Sequence, residues 1–368
     1  MKTGLRLVLV LLLILCGGAL AAPAGPASAA SLPGMVLSSA TATLPTGLAS
    51  LATGKRITYV STDVNGSYIT ATGLIMTPTS NKQNKIVVWA HGTTGLADQC
   101  APSTNQNVFW PEARTAVAAL LTRGFTVAAP DYPGLGTSQS HPYLIGASEA
   151  RAIIDSAKAA RNLDSALSTQ YAIDGHSQGG QGALFANQMA TGYDGNLVLK
   201  GTATIAPVSN VDAIAPMIPG TPNQGYLVMG LYGLAAVDSS FSPNSVLAPT
   251  AKTKTSSLNT GCLDEILAAY QSLTATQLLV GGALPDSVVA KLATRDNPAQ
   301  TAPTAPILII QGTDDDAVPY EITHDMLLPE LEAYTQPVTF QEIAGATHDS
   351  SVTLSADTVA TWLMAHFS

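Results

Sequence analysis

The sequence predicts an α/β protein with a doubly wound, mostly parallel sheet and an inserted, largely helical cap. Three observations support this class. Short apolar runs rich in β-branched residues recur along the chain, stretches with helical periodicity separate them, and one long segment interrupts the alternation. Continuous apolar strands that alternate with helices are typical of a parallel sheet covered on both faces.

The strands and helices follow one another in a regular order. Two segments with β-like alternation come first, at residues 57–61 and 68–76. The apolar strand runs then lie at residues 85–90, 125–129, 171–174, 203–205, 307–311 and 338–343. The helix-period stretches between and after them lie at residues 113–121, 148–163, 181–189, 321–334 and 354–365.

A long insertion separates the fourth apolar strand from the fifth. We therefore expect a core made of residues 30–207 and 303–368, with residues 208–302 as a cap or lid over the carboxyl ends of the strands. The cap contains helix-like pieces near residues 263–273 and 287–292. Its apolar run at residues 226–237 is too short to span a bilayer. Both a buried cap helix and an acyl-binding wall or lid are compatible with that run.

The N-terminus has the pattern of a signal peptide. Lys2 and Arg6 precede an apolar run at residues 7–15, and small residues follow as far as residue 30. A positive region, an apolar region and a small-residue cleavage zone together predict export, with residues 1–29 as the signal peptide. Loss of Cys16 with this segment leaves Cys100 and Cys262, which an oxidising compartment favours as a disulfide over two separate buried thiols.

Composition excludes several classes of protein. The 368 residues carry 16 basic and 25 acidic side chains, a net charge of −9, and only 11% of positions are charged. An acidic chain without a basic stripe does not suit nucleic acid, and 46% hydrophobic residues exclude disorder. We find no metal-ligand spacing, P-loop or dinucleotide fingerprint, so neither a metal nor a cofactor is expected.

A candidate nucleophile lies where the third apolar strand run meets the next helix. The strand at residues 171–174 runs into Gly175-His176-Ser177-Gln178-Gly179-Gly180. Ser177 in so tight a strand-to-helix turn needs glycines beside it, because a Cβ there would clash. The turn aims the hydroxyl at the helix N-terminus, where backbone N–H groups can hold an oxyanion.

A serine nucleophile needs a base and an acid that orients the base. In this architecture the expected chain order is serine, acid, histidine. Among the histidines after Ser177, His324 lies within a predicted helix and His366 near the chain end. His348 lies in a small-residue loop after the last strand, so it is the predicted base. The acid is one of Asp314, Asp315 and Asp316, and spacing does not choose among them.

Six motifs in this order resemble the secretory lipase family of the Candida antarctica lipase A type, which has the α/β-hydrolase fold. The resemblance covers roughly residues 57–367. Its motifs are HGTTG at 91–95, DYPGLG at 131–136, HPYLIGASEAR at 141–151, GHSQGG at 175–180, GTDDDAVP at 312–319 and ATHDS at 346–350.

The resemblance implies roles for particular residues. It implies that Asp315 is the triad acid, three residues after the glycine and four before the proline. It also implies an oxyanion hole from the N–H of Gln178 and from the loop after His91-Gly92, where we expect Thr93, with Thr94 as the alternative. The fungal members carry an acidic residue in this loop, where this sequence has threonine.

Three further residues are candidates for substrate binding. Tyr132 belongs to the DYPGLG motif, which follows a strand and forms either a pocket wall or a structural turn. Leu227 and Leu231 belong to the apolar run of the predicted cap.

The expected function is a secreted serine hydrolase that cleaves carboxylic esters of apolar acyl groups, including acylglycerols. We expect contact with a lipid–water interface and no obligate protein partner. A carboxylesterase or polyester hydrolase would use the same catalytic residues. A non-catalytic exported binding protein and a peptidase are the alternatives from other classes.

Overall fold

The structure is a computed structural model that describes Met1 and residues 32–367. The predicted signal peptide, apart from Met1, lies outside the described residues. Within the part described, no helix is both long and apolar enough to cross a membrane.

A single nine-stranded sheet organises the core. Its strands in spatial order are β1-β2-β3-β5-β4-β6-β7-β8-β9. Their bounds are β1 Val36–Ala42, β2 Ala52–Thr62, β3 Tyr68–Pro78, β4 Ile86–Ala90, β5 Thr126–Pro130, β6 Gln170–His176, β7 Val198–Ile205, β8 Ile307–Gly312 and β9 Val338–Ile343. From β5 to β9 all neighbours are parallel, whereas β1, β2 and β3 pair antiparallel and join the sheet through β5.

Twelve α-helices accompany the sheet in the described chain. They are α1 Pro111–Thr122, α2 Gly146–Leu163, α3 Gln178–Tyr193, α4 Val211–Ile214, α5 Gln224–Val237, α6 Pro249–Lys252, α7 Ser257–Thr260, α8 Leu263–Tyr270, α9 Ala275–Leu278, α10 Asp286–Asp296, α11 Leu328–Glu332 and α12 His348–His366. One apolar cluster joins α2 and α3 to the sheet, and a second joins α1 and α12 to it. The predicted doubly wound α/β class is therefore confirmed.

The central strands consist mostly of apolar residues because both of their faces are covered. Every residue of β4, β5 and β8 is buried. Such strands bring their carboxyl ends to one edge of the sheet, and in open α/β sheets ligands bind outside that edge.

The segment between β7 and β8 folds into the short helices α4 to α10. Their apolar side chains form a separate cluster with Tyr143 and Leu144, which come from the turn before α2. Helix α5 is buried on nearly all sides, and its Gln224 donates hydrogen bonds to the carbonyl oxygens of Tyr270 (2.6 Å) and Leu273 (2.7 Å). These bonds tie α5 to the loop after α8.

Two sequence predictions differ from the structure. The predicted helix at residues 321–334 is a π-helix, Ile322–Leu327, followed by the short α11. The predicted loop that carries His348 is in part helical, because α12 begins at His348 itself and not near residue 354. The cause is a capping box, in which Thr347 and Ser350 exchange side-chain and backbone hydrogen bonds.

Candidate active site

Ser177 lies in a strained turn between β6 and α3. Its φ is 57° and its ψ is −119°, a conformation that non-glycine residues rarely adopt. The turn is held on both sides, because the N–H of Ser177 donates to the carbonyl oxygen of Ile205 (2.9 Å) and its own carbonyl accepts from the N–H of Val208 (3.3 Å). The strain is therefore fixed by the surrounding strand and loop.

The glycines of this turn allow backbones to approach closely. A Cβ on Gly175 would collide with the carbonyl oxygen of Gly179, and a Cβ on Gly179 would collide with the carbonyl oxygen of Ala90 at the end of β4. Each collision involves backbone, which cannot move aside as a flexible side chain can. The spacing of glycine around Ser177 therefore follows from geometry alone.

Asp315 and His348 form a hydrogen-bonded pair at the same edge of the sheet. Nδ1 of His348 lies 2.8 Å from Oδ2 and 3.0 Å from Oδ1 of Asp315. Oδ1 also accepts from the backbone N–H groups of Ala317 (3.0 Å) and Val318 (2.8 Å), and Oδ2 accepts from Nε2 of Gln311 (3.0 Å). The carboxylate is fully covered, and it fixes the proton of the imidazole on Nδ1.

The charges around His348 favour its protonated form. Burial alone would lower the pKa of His348, but the hydrogen bond and charge of Asp315, with the charges of Asp349 and Asp316, raise this pKa above its usual value. Glu112, near the start of α1, belongs to the same environment. Partial burial and the charge of Asp349 raise its pKa to about 7, while His348 acts in the opposite direction.

The hydroxyl of Ser177 forms no hydrogen bond with His348 in the described structure. What lies against His348 is His176, whose ring is 4.6 Å away between centroids and whose Nε2–H donates to the carbonyl oxygen of His348 (3.2 Å). Burial, then the positive charge of His348, lower the pKa of His176 well below its usual value. His176 is therefore a neutral support for the backbone at His348.

His176, His348 and Asp349 are also the one group in the described chain that could hold a metal ion, with their ligand atoms within 4.8 Å of one another. Nδ1 of His348 is already bound to Asp315, and Nε2 of His176 to the carbonyl of His348. Each imidazole therefore has one nitrogen engaged in a hydrogen bond within the protein.

Two backbone N–H groups near Ser177 are available to a ligand. Among the described residues, neither the N–H of Gln178, at the start of α3, nor that of Thr93 donates a hydrogen bond within the protein. The loop of Thr93 is held in place, because its Oγ1 bonds to the hydroxyl of Tyr143 (2.8 Å) and its carbonyl accepts from Nε1 of Trp110 (3.3 Å). The carbonyl of Thr94, the alternative donor residue, accepts from the N–H of Leu263 (2.9 Å).

A cavity of about 390 Å³ lies beside Ser177. Its wall is mostly apolar and comes from the turn before α2, the segment from β7 to α5, the end of α10 and the loop after Asp315. The lining residues are Tyr143, Leu144, Ser177, Val208, Val211, Ile214, Ala215, Met217, Ile218, Thr221, Pro222, Asn223, Tyr226, Leu227, Gly230, Leu292, Asp296, Asp316, Ala317, Val318 and Pro319.

Of the three predicted substrate-binding residues, the structure places only Leu227 in this wall. Tyr132 is a correction. It is fully buried, stacks on the ring of His91 and donates its hydroxyl proton to the carbonyl oxygen of His91 (2.8 Å), so it supports the loop before Thr93. Leu231 is also a correction, since it points into the apolar core around α5.

Sequence reasoning assigned no role to a buried polar network behind Gln178. The side-chain Nε2 of Gln178 donates to Oε1 of Glu149 (2.7 Å) and lies 3.1 Å from Nε2 of His141. Nδ1–H of His141 donates to the carbonyl of Pro133 (2.8 Å), which leaves Nε2 as an acceptor. Burial raises the pKa of Glu149 to about 8, so the network holds a proton on this carboxyl at neutral pH. Glu149 and His141 both belong to the HPYLIGASEAR motif, and this motif is the feature of the sequence that points to the network.

The predicted disulfide is confirmed. Cys100 and Cys262 are bonded, and they join the loop after β4 to the start of α8. Gly95 lies against both cysteines, since a Cβ on it would come within 2.8 Å of Sγ of Cys100 and 3.1 Å of Cα of Cys262. The bond thereby fastens the Thr93 loop to the segment between β7 and β8.

Comparison with known proteins gives a consistent set of relatives. A sequence profile of secretory lipases matches residues 81–368. The secreted triacylglycerol lipase LIP4 of Malassezia globosa is 26% identical over 286 residues, which are 72% of this chain and 61% of that protein. This chain therefore spans less than two thirds of the length of that relative.

Solved structures share the fold. Candida antarctica lipase A in its closed state superimposes with a TM-score of 0.73 at 20% identity, over 86% of this chain and 78% of that one. A rice cell wall degrading esterase, LipA from Xanthomonas oryzae, gives a TM-score of 0.73 at 20% identity, over 91% of this chain and 98% of that one.

Proposed function

Because this chain belongs to the secretory lipase family, we propose that it is a secreted serine hydrolase that cleaves carboxylic esters of apolar acyl groups, including acylglycerols. Ser177 is the nucleophile, His348 the general base and Asp315 the residue that orients the base. The observation that carries this proposal is the pair of Asp315 and Nδ1 of His348 at the sheet edge where the strained Ser177 lines an apolar cavity.

The reaction begins when Oγ of Ser177 attacks the ester carbonyl and its proton passes to Nε2 of His348. Nε2 is free for this role because Nδ1 is protonated and bonded to Asp315. The contact between Oγ and Nε2 must form when substrate binds, as catalytic hydrogen bonds of free enzymes often do. His348 then gives the proton to the departing alcohol, and a second cycle with water releases the acid and restores Ser177.

The N–H groups of Gln178 and Thr93 receive the negative charge of the tetrahedral intermediate. Both are unused in the described protein, and the one at Gln178 lies at a helix N-terminus, where the helix dipole also favours an anion. Fixed donors of this kind need no reorganisation as the charge develops, which makes them effective. Glu149 and Tyr132 act indirectly, through the side chain of Gln178 and the carbonyl of His91.

Residues 208–302 are the cap in this proposal. Helices α4, α5 and α10 of this segment contribute to the cavity wall next to Ser177. The apolar wall suits an acyl chain, since burying it away from water is favourable at roughly 25 cal/mol per Å². Met217, which is 64% exposed, also lines the cavity, so apolar surface extends from the site to solvent.

Two observations support export, besides the leader predicted at residues 1–29. A disulfide persists in an oxidising compartment, and the Malassezia relative is named a secreted protein. The substrate is then an ester outside the cell, met at a lipid–water interface. No protein partner and no cofactor enter the mechanism.

A fluorophosphonate probe with peptide mapping tests the nucleophile. Labelling is expected on Ser177, and Ser177→Ala is expected to abolish both labelling and ester hydrolysis. Ser209 is a buried serine that follows Val208 of the cavity wall, so Ser209→Ala is the matched control. This variant is expected to be labelled on Ser177 at the wild-type rate. Label on another residue, or turnover by Ser177→Ala at the wild-type rate, overturns the assignment.

A chain-length series separates the lipase from the esterase. Activity on p-nitrophenyl esters is compared with activity on emulsified triglyceride. A lipase keeps activity on long acyl chains and on the emulsion. Collapse of activity above butyrate identifies a carboxylesterase or polyester hydrolase, and cleavage of casein without cleavage of any ester identifies a peptidase.

A further inference from the structure

Asp296, the last residue of α10, is a buried acid in the wall of the cavity that contains Ser177. Its exposed fraction is 0%, and in the described structure neither carboxyl oxygen has a hydrogen-bond partner. Buried polar groups in folded proteins are almost always paired, and an unpaired one costs free energy. Asp296 belongs to the wall of a ligand cavity, and its buried carboxyl has no partner, so this carboxyl is a candidate for binding part of the ligand.

The backbone of Asp296 is held firmly, which keeps its side chain at the cavity. Nε2 of Gln181, in the first turn of α3, donates to the carbonyl oxygen of Asp296 (2.6 Å) and also to that of Leu144 (2.8 Å). The next residue, Asn297, accepts a bond from the N–H of Val211 (2.6 Å). These contacts join α3, α4 and the end of α10 around one point of the wall.

The surroundings of Asp296 favour an uncharged carboxyl. Burial, then the nearby Glu149, raise the pKa of Asp296 well above its usual value, and the exposed Arg295 opposes this only in part. Within the described residues, no cation forms an ion pair with Asp296. A neutral carboxyl carries one O–H donor and an acceptor oxygen, the combination that pairs with a hydroxyl group.

We propose that Asp296 forms a polar subsite in the acyl cavity and binds a hydroxyl group carried on the acyl chain of the ester. The rest of the wall near it, which includes Leu144, Val211 and Leu292, is apolar and holds the hydrocarbon part of the chain. This inference rests on the proposed esterase function and narrows its substrate class from plain fatty acyl esters to hydroxyacyl esters.

Selectivity for a hydroxyl-bearing acyl chain has a physical reason. A plain alkyl chain would leave the carboxyl of Asp296 without a hydrogen-bond partner and cut off from water. A site that contains such a group discriminates against substrates that cannot satisfy it. If the hydroxyl forms one or two hydrogen bonds with the carboxyl, the preference for the correctly placed hydroxyl should be about 10- to 100-fold in kcat/KM.

The test compares p-nitrophenyl alkanoates with hydroxyalkanoates of the same length, the hydroxyl being placed in turn at each carbon. Wild type is expected to prefer one hydroxyl position over the plain chain. Asp296→Leu should reverse that preference, whereas Asp296→Asn, which keeps a donor and an acceptor, should retain it. Asp286→Leu, an exposed acid at the other end of α10, is the matched control and should behave as wild type.

Two further measurements keep the result interpretable. Fluorophosphonate labelling of Ser177 reports the proposed catalytic function separately, so labelled enzyme without a hydroxyl preference refutes the subsite alone. In the Ser177→Ala protein, an alkanediol should raise Tm more than the alkanol of equal length, and Asp296→Leu should remove the difference. The subsite is wrong if wild type prefers the plain chain at every hydroxyl position, or if an amino group in place of the hydroxyl is preferred to it.

Discussion

Replacing Asp315 by asparagine keeps the shape of the side chain but changes what it can offer to His348. Oδ1 accepts from the N–H groups of Ala317 and Val318, so the amide oxygen of the asparagine takes that position. The reverse orientation would set an NH₂ group against two backbone donors, which cannot change their role. The NH₂ therefore lies where Oδ2 was, 2.8 Å from Nδ1 of His348.

The NH₂ group is the nearer of the two amide atoms to Nδ1 of His348, and it can only donate, so it favours the tautomer in which Nδ1 accepts and the ring proton lies on Nε2. In that tautomer His348 cannot take the proton of Ser177. On the proposed mechanism, loss of this carboxylate should lower kcat by about 10⁴-fold, which corresponds to about 5 kcal/mol in the activation free energy. Tm should fall modestly, because the bonds from the two backbone N–H groups remain but the bond from Nε2 of Gln311 to Oδ2 is lost.

The assay is kcat on a p-nitrophenyl ester, together with the rate of fluorophosphonate labelling, which should fall in parallel. Asp314→Asn is the matched control, since Asp314 is the exposed neighbour in the same triplet. Its kcat should stay close to that of wild type. A kcat for Asp315→Asn within about tenfold of wild type, or a large loss in Asp314→Asn instead, would refute the reasoning about the tautomer.

Three other predictions follow from the same contacts. Since nearby carboxylates raise the pKa of His348, kcat/KM should rise with pH through an apparent pKa above about 6.5. Asp349→Asn removes one of these charges and should move the rise to lower pH. A move to higher pH would contradict the role given to Asp349. Loss of the disulfide in a Cys100→Ser, Cys262→Ser protein should destabilise the fold by up to about 5 kcal/mol on the chain-entropy model, because the bond closes a loop with a separation of 162 residues, and a thermal melt measures it. Burial raises the pKa of Asp174 to about 8, so the folded state keeps a proton that the unfolded chain loses near pH 4, and stability falls as pH rises towards 8. Asp174→Asn should make the fall of Tm over this pH range less steep. An unchanged slope would contradict the raised pKa of Asp174.

The sequence was sufficient where local rules decide the structure. Apolar runs without alternation indicated strands buried on both faces, and β4 and β8 are buried throughout. The glycines around Ser177 indicated a tight turn, and the positive φ of Ser177 agrees with that expectation. The spacing of residues could not identify Asp315 as the acid among its two neighbours, because all three are aspartates and only the folded structure shows which one turns inward.

The remaining features depend on contacts between distant parts of the chain. Helix α5 is apolar on all sides, so no periodicity could show that Leu227 faces the cavity and Leu231 the interior. The contact of Gln178 with Glu149 joins residues 29 positions apart, and that of Gln181 with the carbonyl of Asp296 joins residues 115 apart. Pairings of this kind become visible only once the sheet and the segment between β7 and β8 are assembled.

Buried acids also change what the net charge means. The formal value of −9 counts every carboxyl as ionised. Burial raises the pKa of Glu149 and Asp174 to about 8 and that of Asp296 well above its usual value, so at neutral pH these three contribute little negative charge. The folded protein therefore carries less negative charge than it would if all of its carboxyls were ionised. A weakly charged surface loses little hydration on approach to an ester–water boundary, which is the setting that the proposed function requires.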